Sequence, residues 1–163
     1  MGCIELGQCA QSSNLKIMIF VEGTLLKPKS WFSLHNHTKY IPIGDCVNII
    51  KDWQNQGAEV LYCTSRRSKK AEGIAKLLKE FGFVGSKLLY REKKQRYKDI
   101  VEIVRPDFLI EDDCKSIGGK WQMCITYVSD DIRNTITSIV VKEFNGINHL
   151  RHIIKEYKKE YKN

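Results

Sequence analysis

The chain lacks the long apolar run of about 20 residues that a membrane-spanning helix requires. Its first strongly apolar segment, residues 17–21, ends at the acidic Glu22. The N-terminus also lacks the basic flank and the long apolar core of a secretory signal peptide. These absences predict a soluble, cytoplasmic protein without a membrane partner.

Cys-x-x-Cys pairs are absent, although the chain has six cysteines. Several of these cysteines lie among apolar residues, where thiols usually behave as small hydrophobic side chains. The pattern argues against a disulfide framework and against a structural zinc site. N-terminal acylation after Met1 would require Ser or Thr at position 6, where Leu6 stands. We expect residues 1–14 to form a flexible leader.

The length and the charge of the chain restrict its organisation and its partners. With 163 residues, 42% of them hydrophobic, it suffices for one compact domain, which we expect over residues 15–163. The formal net charge is +8, because 27 Lys and Arg residues outnumber 19 acidic ones. Such a charge favours an anionic partner, either a phosphorylated small molecule or a nucleic acid. The charge does not choose between them, and the sequence leaves the oligomeric state open.

Short apolar runs alternate with amphipathic segments along most of the chain. This alternation is typical of a parallel sheet with helices on both faces. The apolar runs predict strands at residues 15–21, 58–63, 87–90, 108–111, 123–127 and 138–142. Apolar residues spaced i, i+3, i+4 and i+7 form an apolar stripe along one face of a helix, and four such stripes predict four helices. The first residues of these stripes are Cys46, Ala71, Tyr97 and Leu150.

Residues 25–44 have no clean period and contain two prolines and two histidines. We expect a loop or a small lid there. Two histidines in a short lid are more often ordinary loop residues than metal or substrate contacts, and we interpret His35 and His37 in this way. The aromatic side chains of the segment either pack the lid onto the domain, which is the commoner use, or stack on a nucleobase. These side chains are Trp31, Phe32 and Tyr40.

Acids, hydroxyls and cations follow four of the predicted strands. In an open α/β sheet, ligands bind beyond the carboxyl ends of the strands, where loops and helix N-termini converge. We therefore expect these side chains to lie along one edge of the sheet as a metal-bridged phosphate site. They are Glu22 and Thr24 after the first strand, Thr64, Ser65, Arg66 and Arg67 after the second, Arg91, Lys93 and Lys94 after the third, and Glu111, Asp112, Asp113 and Lys115 after the fourth.

Each of these groups has a chemical role in such a site. The adjacent carboxylates of Asp112 and Asp113 can hold a hard divalent cation, most plausibly Mg²⁺. The Thr64 hydroxyl and nearby backbone N–H groups can donate to phosphoryl oxygens, while a lysine or arginine neutralises charge in the transition state. An Asp-Asp pair at a strand end is as often a solvated turn, so the combination is more specific than any one part.

Over roughly residues 15–130, these segments resemble the four motifs of the haloacid dehalogenase-like (HAD-like) hydrolase superfamily. The resemblance implies a three-layer α/β/α Rossmann-like domain with a mainly parallel central sheet and a minimal cap. It also implies a Mg²⁺-dependent phosphatase, whose second motif falls on Thr64. The third motif, a lysine, falls on Lys94, with Lys93, Lys98 and Lys87 as weaker candidates.

The resemblance also assigns roles to individual residues. Glu22, Thr64 and Lys94 take the catalytic positions. Glu22, Asp112 and Asp113 take the metal positions. The residues in the phosphate-binding positions are Thr24, Thr64, Ser65, Arg66 and Lys94.

The first motif departs from the family pattern Asp-x-Asp-Gly-Thr. The same register here reads Phe20, Val21, Glu22, Gly23, Thr24. In the family the first Asp attacks phosphorus and ligates Mg²⁺, and a phenylalanine can do neither. The second Asp is the general acid and base, and Glu22 keeps that carboxyl chemistry on a longer side chain.

Three outcomes of this departure stay open at the level of the sequence. Glu22 could activate a water for one-step hydrolysis, the pocket could bind without turnover, or the register or the reaction could differ. The leading interpretation is a HAD-like phosphohydrolase homologue with reduced or lost phosphatase activity. The competing interpretation is a basic module without catalysis that binds nucleic acid or protein through residues 66–70 and 91–98.

Overall fold

The computed structural model describes residues 1–7, 15–30 and 39–161. Strands and helices alternate through most of this part of the chain. In chain order they are β1 (Gly2–Glu5), β2 (Leu15–Phe20), β3 (Leu26–Pro28), β4 (Tyr40–Pro42), α1 (Cys46–Asn55), β5 (Ala58–Thr64), α2 (Lys69–Glu80), β6 (Lys87–Tyr90), α3 (Tyr97–Val104), β7 (Phe108–Asp112), α4 (Asp130–Arg133), β8 (Thr137–Val141) and α5 (Ile153–Tyr161).

Six strands form the central sheet in the order β1-β6-β5-β2-β7-β8. β1 runs antiparallel to β6, and the other neighbouring strands are parallel. From the central β2 the chain moves outward through β5 and β6, and then returns to the other side of β2 with β7. The reversal between β2 and β7 is a topological switch point, where the loops beyond the carboxyl ends separate and leave room for a ligand.

Side chains of β2 alternate between two hydrophobic cores, one on each face of the sheet. Ile17 and Ile19 pack with α1, α2 and α5, whereas Met18 packs with α3 on the opposite face. All three are completely buried, and full burial of such a side chain stabilises the fold by roughly 1.5–3 kcal/mol. Burial on both faces explains why the strand reads as a continuous apolar run. The predicted three-layer α/β/α Rossmann-like class with a mainly parallel sheet is confirmed.

The predicted helices form where the apolar stripes place them. In α1 the stripe residues Cys46, Ile49, Ile50 and Trp53 are fully buried. The stripe of α2 is buried in the same way, and α3 buries Ile100 and Val101. Each of these helices therefore packs against the sheet through the apolar face that the helical period of 3.6 residues per turn predicts.

The strand predicted at residues 123–127 is wrong. A short 3-10 turn, Ile125–Tyr127, lies there. The backbone N–H groups of Cys124 and Ile125 donate to the Glu111 carboxylate at 2.6 and 3.0 Å, so these donors serve a side chain and not a sheet. β8, which the sequence placed at residues 138–142, supplies the next parallel strand after β7.

The N-terminal segment also differs from the flexible leader that we expected for residues 1–14. Residues 2–5 form β1, whose backbone pairs with β6, and Gly2 lies opposite Tyr90. A Cβ at Gly2 would lie 2.2 Å from the Tyr90 ring, so the ring packs directly over this glycine. Residues 8–14 lie outside the described part of the chain.

The expected loop or small lid at residues 25–44 contains a short antiparallel pair, β3 with β4. Its Tyr40 is buried. Trp31, Phe32, His35 and His37 lie outside the described residues. Among the helices that are described, none has both the length and the apolar character needed to cross a membrane.

Candidate functional site

A cavity of about 440 Å³ lies at the carboxyl edge of the sheet, over the switch point between β2 and β7. The loops after β2, β5 and β7 contribute to it, whereas the residues expected from the loop after β6, Arg91, Lys93 and Lys94, do not line it. Its lining comprises Phe20, Glu22, Gly23, Tyr40, Ser65, Arg66, Tyr97, Glu111, Asp112, Cys114, Ser116, Ile117, Gln122, Cys124, Glu143 and Phe144.

Phe20 is the last residue of β2 and lines this cavity. Its ring meets Tyr97 of α3 edge to face, with ring centroids 5.4 Å apart and an interplanar angle of 80°. The guanidinium carbon of Arg91 lies 4.1 Å from the centroid of the Tyr97 ring. Burial raises the pKa of Tyr97 to about 12. Two packed aromatic rings therefore occupy the end of β2, for which the resemblance to the HAD-like motif predicts a nucleophile.

Glu22 is held by three groups from the end of β5 and the loop that follows it. The Thr64 hydroxyl donates to Glu22 Oε1 at 2.5 Å, and the Ser65 backbone N–H donates to Oε2 at 3.1 Å. Arg66 Nε lies 3.6 Å from Oε1. Thr64 and Arg66 are also linked, since the Arg66 N–H donates to the Thr64 hydroxyl oxygen. The groups that were predicted to hold a phosphate therefore hold the Glu22 carboxylate.

Gly23 lies directly against Asp112. A Cβ at Gly23 would lie 2.1 Å from Asp112 Oδ2, and the φ angle of Gly23 is +84°. Both facts require a glycine at this position. Asp112 accepts the Cys114 N–H at 2.7 Å. Burial raises the pKa of Asp112 above its ordinary value, because a low dielectric disfavours the charged carboxylate.

Glu111 contributes more to the site than the sequence analysis assigned to it. It is 3% exposed, and both of its oxygens accept backbone N–H groups, from Cys124 and Ile125. Burial nevertheless raises the pKa of Glu111 to about 7. Its carboxyl group fixes the segment that follows β7 beside the cavity. The only signal for it in the sequence is its place beside Asp112 at the strand end.

Asp113, the second acid of the predicted pair, stabilises the loop after β8 and does not line the cavity. Its Oδ1 accepts the backbone N–H groups of Glu143 at 3.1 Å and Lys115 at 3.3 Å. Glu143 in turn accepts the Ser116 N–H and hydroxyl. Glu143 lines the cavity although the sequence analysis did not select it.

The predicted metal ligands Glu22, Asp112 and Asp113 do not form a metal site in this arrangement. Within residues 1–7, 15–30 and 39–161, no group of three or more His, Cys, Asp or Glu side chains is placed to hold an ion. Both Glu22 oxygens have partners, and Asp113 binds backbone N–H groups. Asp112 Oδ2 lies against the Gly23 turn.

Three of the predicted phosphate ligands, Thr24, Thr64 and Lys94, do not line the cavity. Lys94 is exposed in the turn before α3, with a φ angle of +68°. Thr24 is fully buried. Of the weaker lysine candidates, Lys98 pairs with Glu102 and Lys87 pairs with Glu5. Among the described residues that line the cavity, the cationic side chain is that of Arg66.

Comparison with known proteins supports the fold and leaves the activity open. No protein-family model matches the chain, and no curated protein matches it. Two solved structures of the Pnkp1/Rnl/Hen1 RNA repair complex match with a TM-score of 0.57 and 15% identity. The matches cover 85% and 83% of this chain but 46% and 49% of the other chains, so this chain spans about half of their length.

A third structure matches over nearly its whole length. It is the D,D-heptose 1,7-bisphosphate phosphatase from B. bronchiseptica, complexed with magnesium and phosphate, with a TM-score of 0.50 and 11% identity. The match covers 87% of this chain and 99% of that chain. At these identities the similarity establishes the fold alone. The Rossmann-like α/β architecture of this chain is thus one that a solved phosphatase shares.

Proposed function

We propose that this chain is a HAD-like phosphohydrolase homologue that has lost turnover through a covalent aspartyl-phosphate. Phe20 is the observation that carries the proposal. It ends β2 at the switch point, lines the cavity and packs against Tyr97. A phenyl ring has no lone pair to attack phosphorus and no oxygen to ligate a cation.

The contacts of Glu22 support the same conclusion. A general acid or base must reach the reacting oxygen, whereas both Glu22 oxygens are engaged by Thr64, Ser65 and Arg66. One-step hydrolysis by Glu22 would require these contacts to break first. Binding of Mg²⁺ by Glu22, Asp112 and Asp113 would require the same rearrangement and stays a prediction.

The ligand class proposed for the cavity is a phosphorylated small molecule or another anion. Arg66, Ser65 and the Thr64 hydroxyl are the groups that would bind it, once Glu22 leaves them. The magnesium and phosphate in the solved phosphatase of the same fold support this ligand class. Lys94 remains a proposed contact only if the turn before α3 moves toward the cavity.

The test is hydrolysis of p-nitrophenyl phosphate in the presence of Mg²⁺ by the wild type, Phe20→Asp and Phe20→Leu. We expect no turnover by the wild type or by Phe20→Leu. Phe20→Asp should hydrolyse the substrate at least about tenfold faster than the background rate measured with Phe20→Leu, which corresponds to about 1.4 kcal/mol of transition-state stabilisation. Phe20→Leu is the matched control, because it removes the ring and adds no nucleophile.

Two outcomes would contradict the proposal. The first is Mg²⁺-dependent turnover by the wild type that Asp112→Ala abolishes, since that would establish an active enzyme without the first Asp. The second is a folded Phe20→Asp variant with no gain in rate. That result would show that residue 20 does not occupy the nucleophile position, and circular dichroism of each variant verifies folding.

A further inference from the structure

A second depression, here called the outer groove, adjoins the cavity on the side of α3. It has a volume of about 240 Å³ and shares Tyr97, Gln122 and Cys124 with the cavity lining. One wall is α3 with the turn before it, and the other is the segment after β7. The lining of the outer groove comprises Arg91, Arg96, Tyr97, Lys98, Trp121, Gln122, Met123, Cys124 and Tyr127.

Two aromatic side chains of the outer groove are unusually exposed. Trp121 is 62% exposed and Tyr127 is 49% exposed. They are held near each other, because the Tyr127 hydroxyl donates to the Trp121 backbone carbonyl at 2.8 Å. The Thr126 hydroxyl donates to the Lys120 carbonyl in the same segment. The Tyr127 ring is therefore tied to the backbone of Trp121, and both rings are still open to a ligand.

Positive charge surrounds these rings. Among the described residues that line the outer groove, three are cationic and none is acidic. Lys98 is paired with Glu102. Within the part of the chain that the structure describes, Arg91 and Arg96 form no ion pair. Lys120 adds a further cation, with its Nζ 4.9 Å from the centroid of the Trp121 ring. Arg91 lies over Tyr97 in the same way.

We propose that the outer groove binds single-stranded nucleic acid. The bases would stack on Trp121 and Tyr127, and Arg91, Arg96 and Lys120 would neutralise the phosphates of the backbone. Exposed aromatic rings beside cations are the arrangement that binds single strands without sequence preference, because every base presents a flat face. This inference does not depend on the function proposed for the cavity.

Other anionic partners use fewer features of the outer groove. An acidic peptide would pair with the cations but would not require two open aromatic rings. A duplex hides the faces of its bases within the stack. The outer groove, with a volume of about 240 Å³, has room for bases but not for a nucleic-acid helix. Only a single strand uses both the rings and the charges.

The test is fluorescence anisotropy of a labelled uridine oligonucleotide, titrated with the protein at several salt concentrations. We expect binding whose affinity falls as salt rises, since each phosphate contact releases counterions. Trp121→Ala should weaken binding about tenfold, the effect of losing one stacked base. Ile103→Ala is the matched control, because Ile103 is also 62% exposed but does not line the outer groove.

Charge is tested with two double variants that each remove two exposed lysine or arginine charges. Arg96→Ala with Lys120→Ala should lower the affinity and flatten its salt dependence. Lys76→Ala with Lys155→Ala, which changes α2 and α5, should leave both unchanged. Equal losses in the two pairs would show general electrostatic attraction and overturn the proposal.

Three further outcomes would overturn the proposal that the outer groove binds single-stranded nucleic acid. Unchanged affinity in the Trp121→Ala variant would exclude stacking. No binding at low salt would exclude the site. Equal affinity for a polyglutamate peptide, for a duplex of the same length or for phosphatidylserine vesicles would replace the single strand with that partner. Failure of these tests leaves the Phe20→Asp result unaffected, so the two proposals stand or fall separately.

Discussion

The cavity and the outer groove meet at Tyr97, yet their linings carry opposite charge. Four acids line the cavity, against the single arginine Arg66 in its described lining. The outer groove presents cations without an acid among its described lining residues. The net charge of +8 is therefore unevenly distributed, since the described lining of the cavity is acidic.

The acids of the cavity are mostly committed to the fold. Glu22 accepts bonds from the β5 loop, Glu111 and Asp112 accept backbone N–H groups, and Glu143 accepts from Ser116. In the outer groove Arg91 lies over the Tyr97 ring, and Arg96 and Trp121 are exposed. The difference indicates that internal contacts organise the cavity, whereas the outer groove leaves cationic and aromatic side chains open to solvent.

The largest expected effect concerns the contact between Gly23 and Asp112. Gly23→Ala should lower the free energy of unfolding by roughly 3–5 kcal/mol, since it combines a disfavoured φ with a steric clash. Gly57→Ala is the control: its φ is similar, at +88°, but no atom lies within 4 Å of the added Cβ. It should cost only about 1 kcal/mol. Equal losses in urea denaturation would contradict the close packing of Asp112 on this turn.

Glu111 gives the next largest effect, through pH. Its folded pKa of about 7 exceeds the ordinary value of 4.5, so the folded state binds the proton more tightly. The stability from this group is complete below about pH 4.5 and is lost as pH rises through 7. The loss amounts to about 3 kcal/mol, and Glu111→Gln should remove it from the pH profile of unfolding.

Glu102, beside the outer groove, is the matched control for Glu111. The Ser129 backbone N–H and Lys98 lower the pKa of Glu102, so its stabilisation is lost as pH falls through the folded pKa. Glu102→Gln should therefore change the profile only in the acid range. If Glu111→Gln leaves the profile between pH 5 and pH 8 unchanged, the burial of Glu111 does not control its protonation.

The smallest effect concerns anion affinity in the cavity. Glu22→Ala should strengthen binding of inorganic phosphate about tenfold, or about 1.4 kcal/mol, because it frees Thr64, Ser65 and Arg66. Isothermal titration calorimetry measures the change. Glu143→Ala removes a second cavity acid without freeing these donors. Equal gains in phosphate affinity in both variants would mean that the negative charge of the cavity alone controls binding. The contacts of Glu22 with Thr64, Ser65 and Arg66 would then not limit phosphate binding.

Most of the fold could be predicted from hydrophobic periodicity. The continuous apolar runs of β2 and β5 and the stripes of α1 and α2 follow from burial on fixed faces, which sequence spacing records. Met123, Ile125 and Tyr127 show the limit of that reasoning, because they alternate like a strand. Their segment is shaped by the carboxylate of Glu111, a long-range partner that no local pattern reveals.

The site could be predicted as a location but not as a set of contacts. The sequence placed Glu22, Thr64 and Asp112 at one edge. Glu22 and Asp112 line the cavity there, and the buried Thr64 reaches it through its hydrogen bond to Glu22. The sequence could not show that Glu22 would accept hydrogen bonds from the donors predicted to bind a phosphate, since those bonds depend on side-chain positions in three dimensions. For the same reason Asp113 was selected as a metal ligand, although it binds backbone N–H groups.

The central claim is that Phe20 stands where a nucleophile would be, and trapping of a phosphoryl-enzyme tests it most directly. The wild type and Phe20→Asp would be incubated with acetyl phosphate and Mg²⁺ and examined by intact-mass and peptide mass spectrometry. We predict that Phe20→Asp gains one phosphoryl group on the residue at position 20 and that the wild type gains none. A phosphoryl group on the wild type, or on any other residue of the variant, would contradict the account.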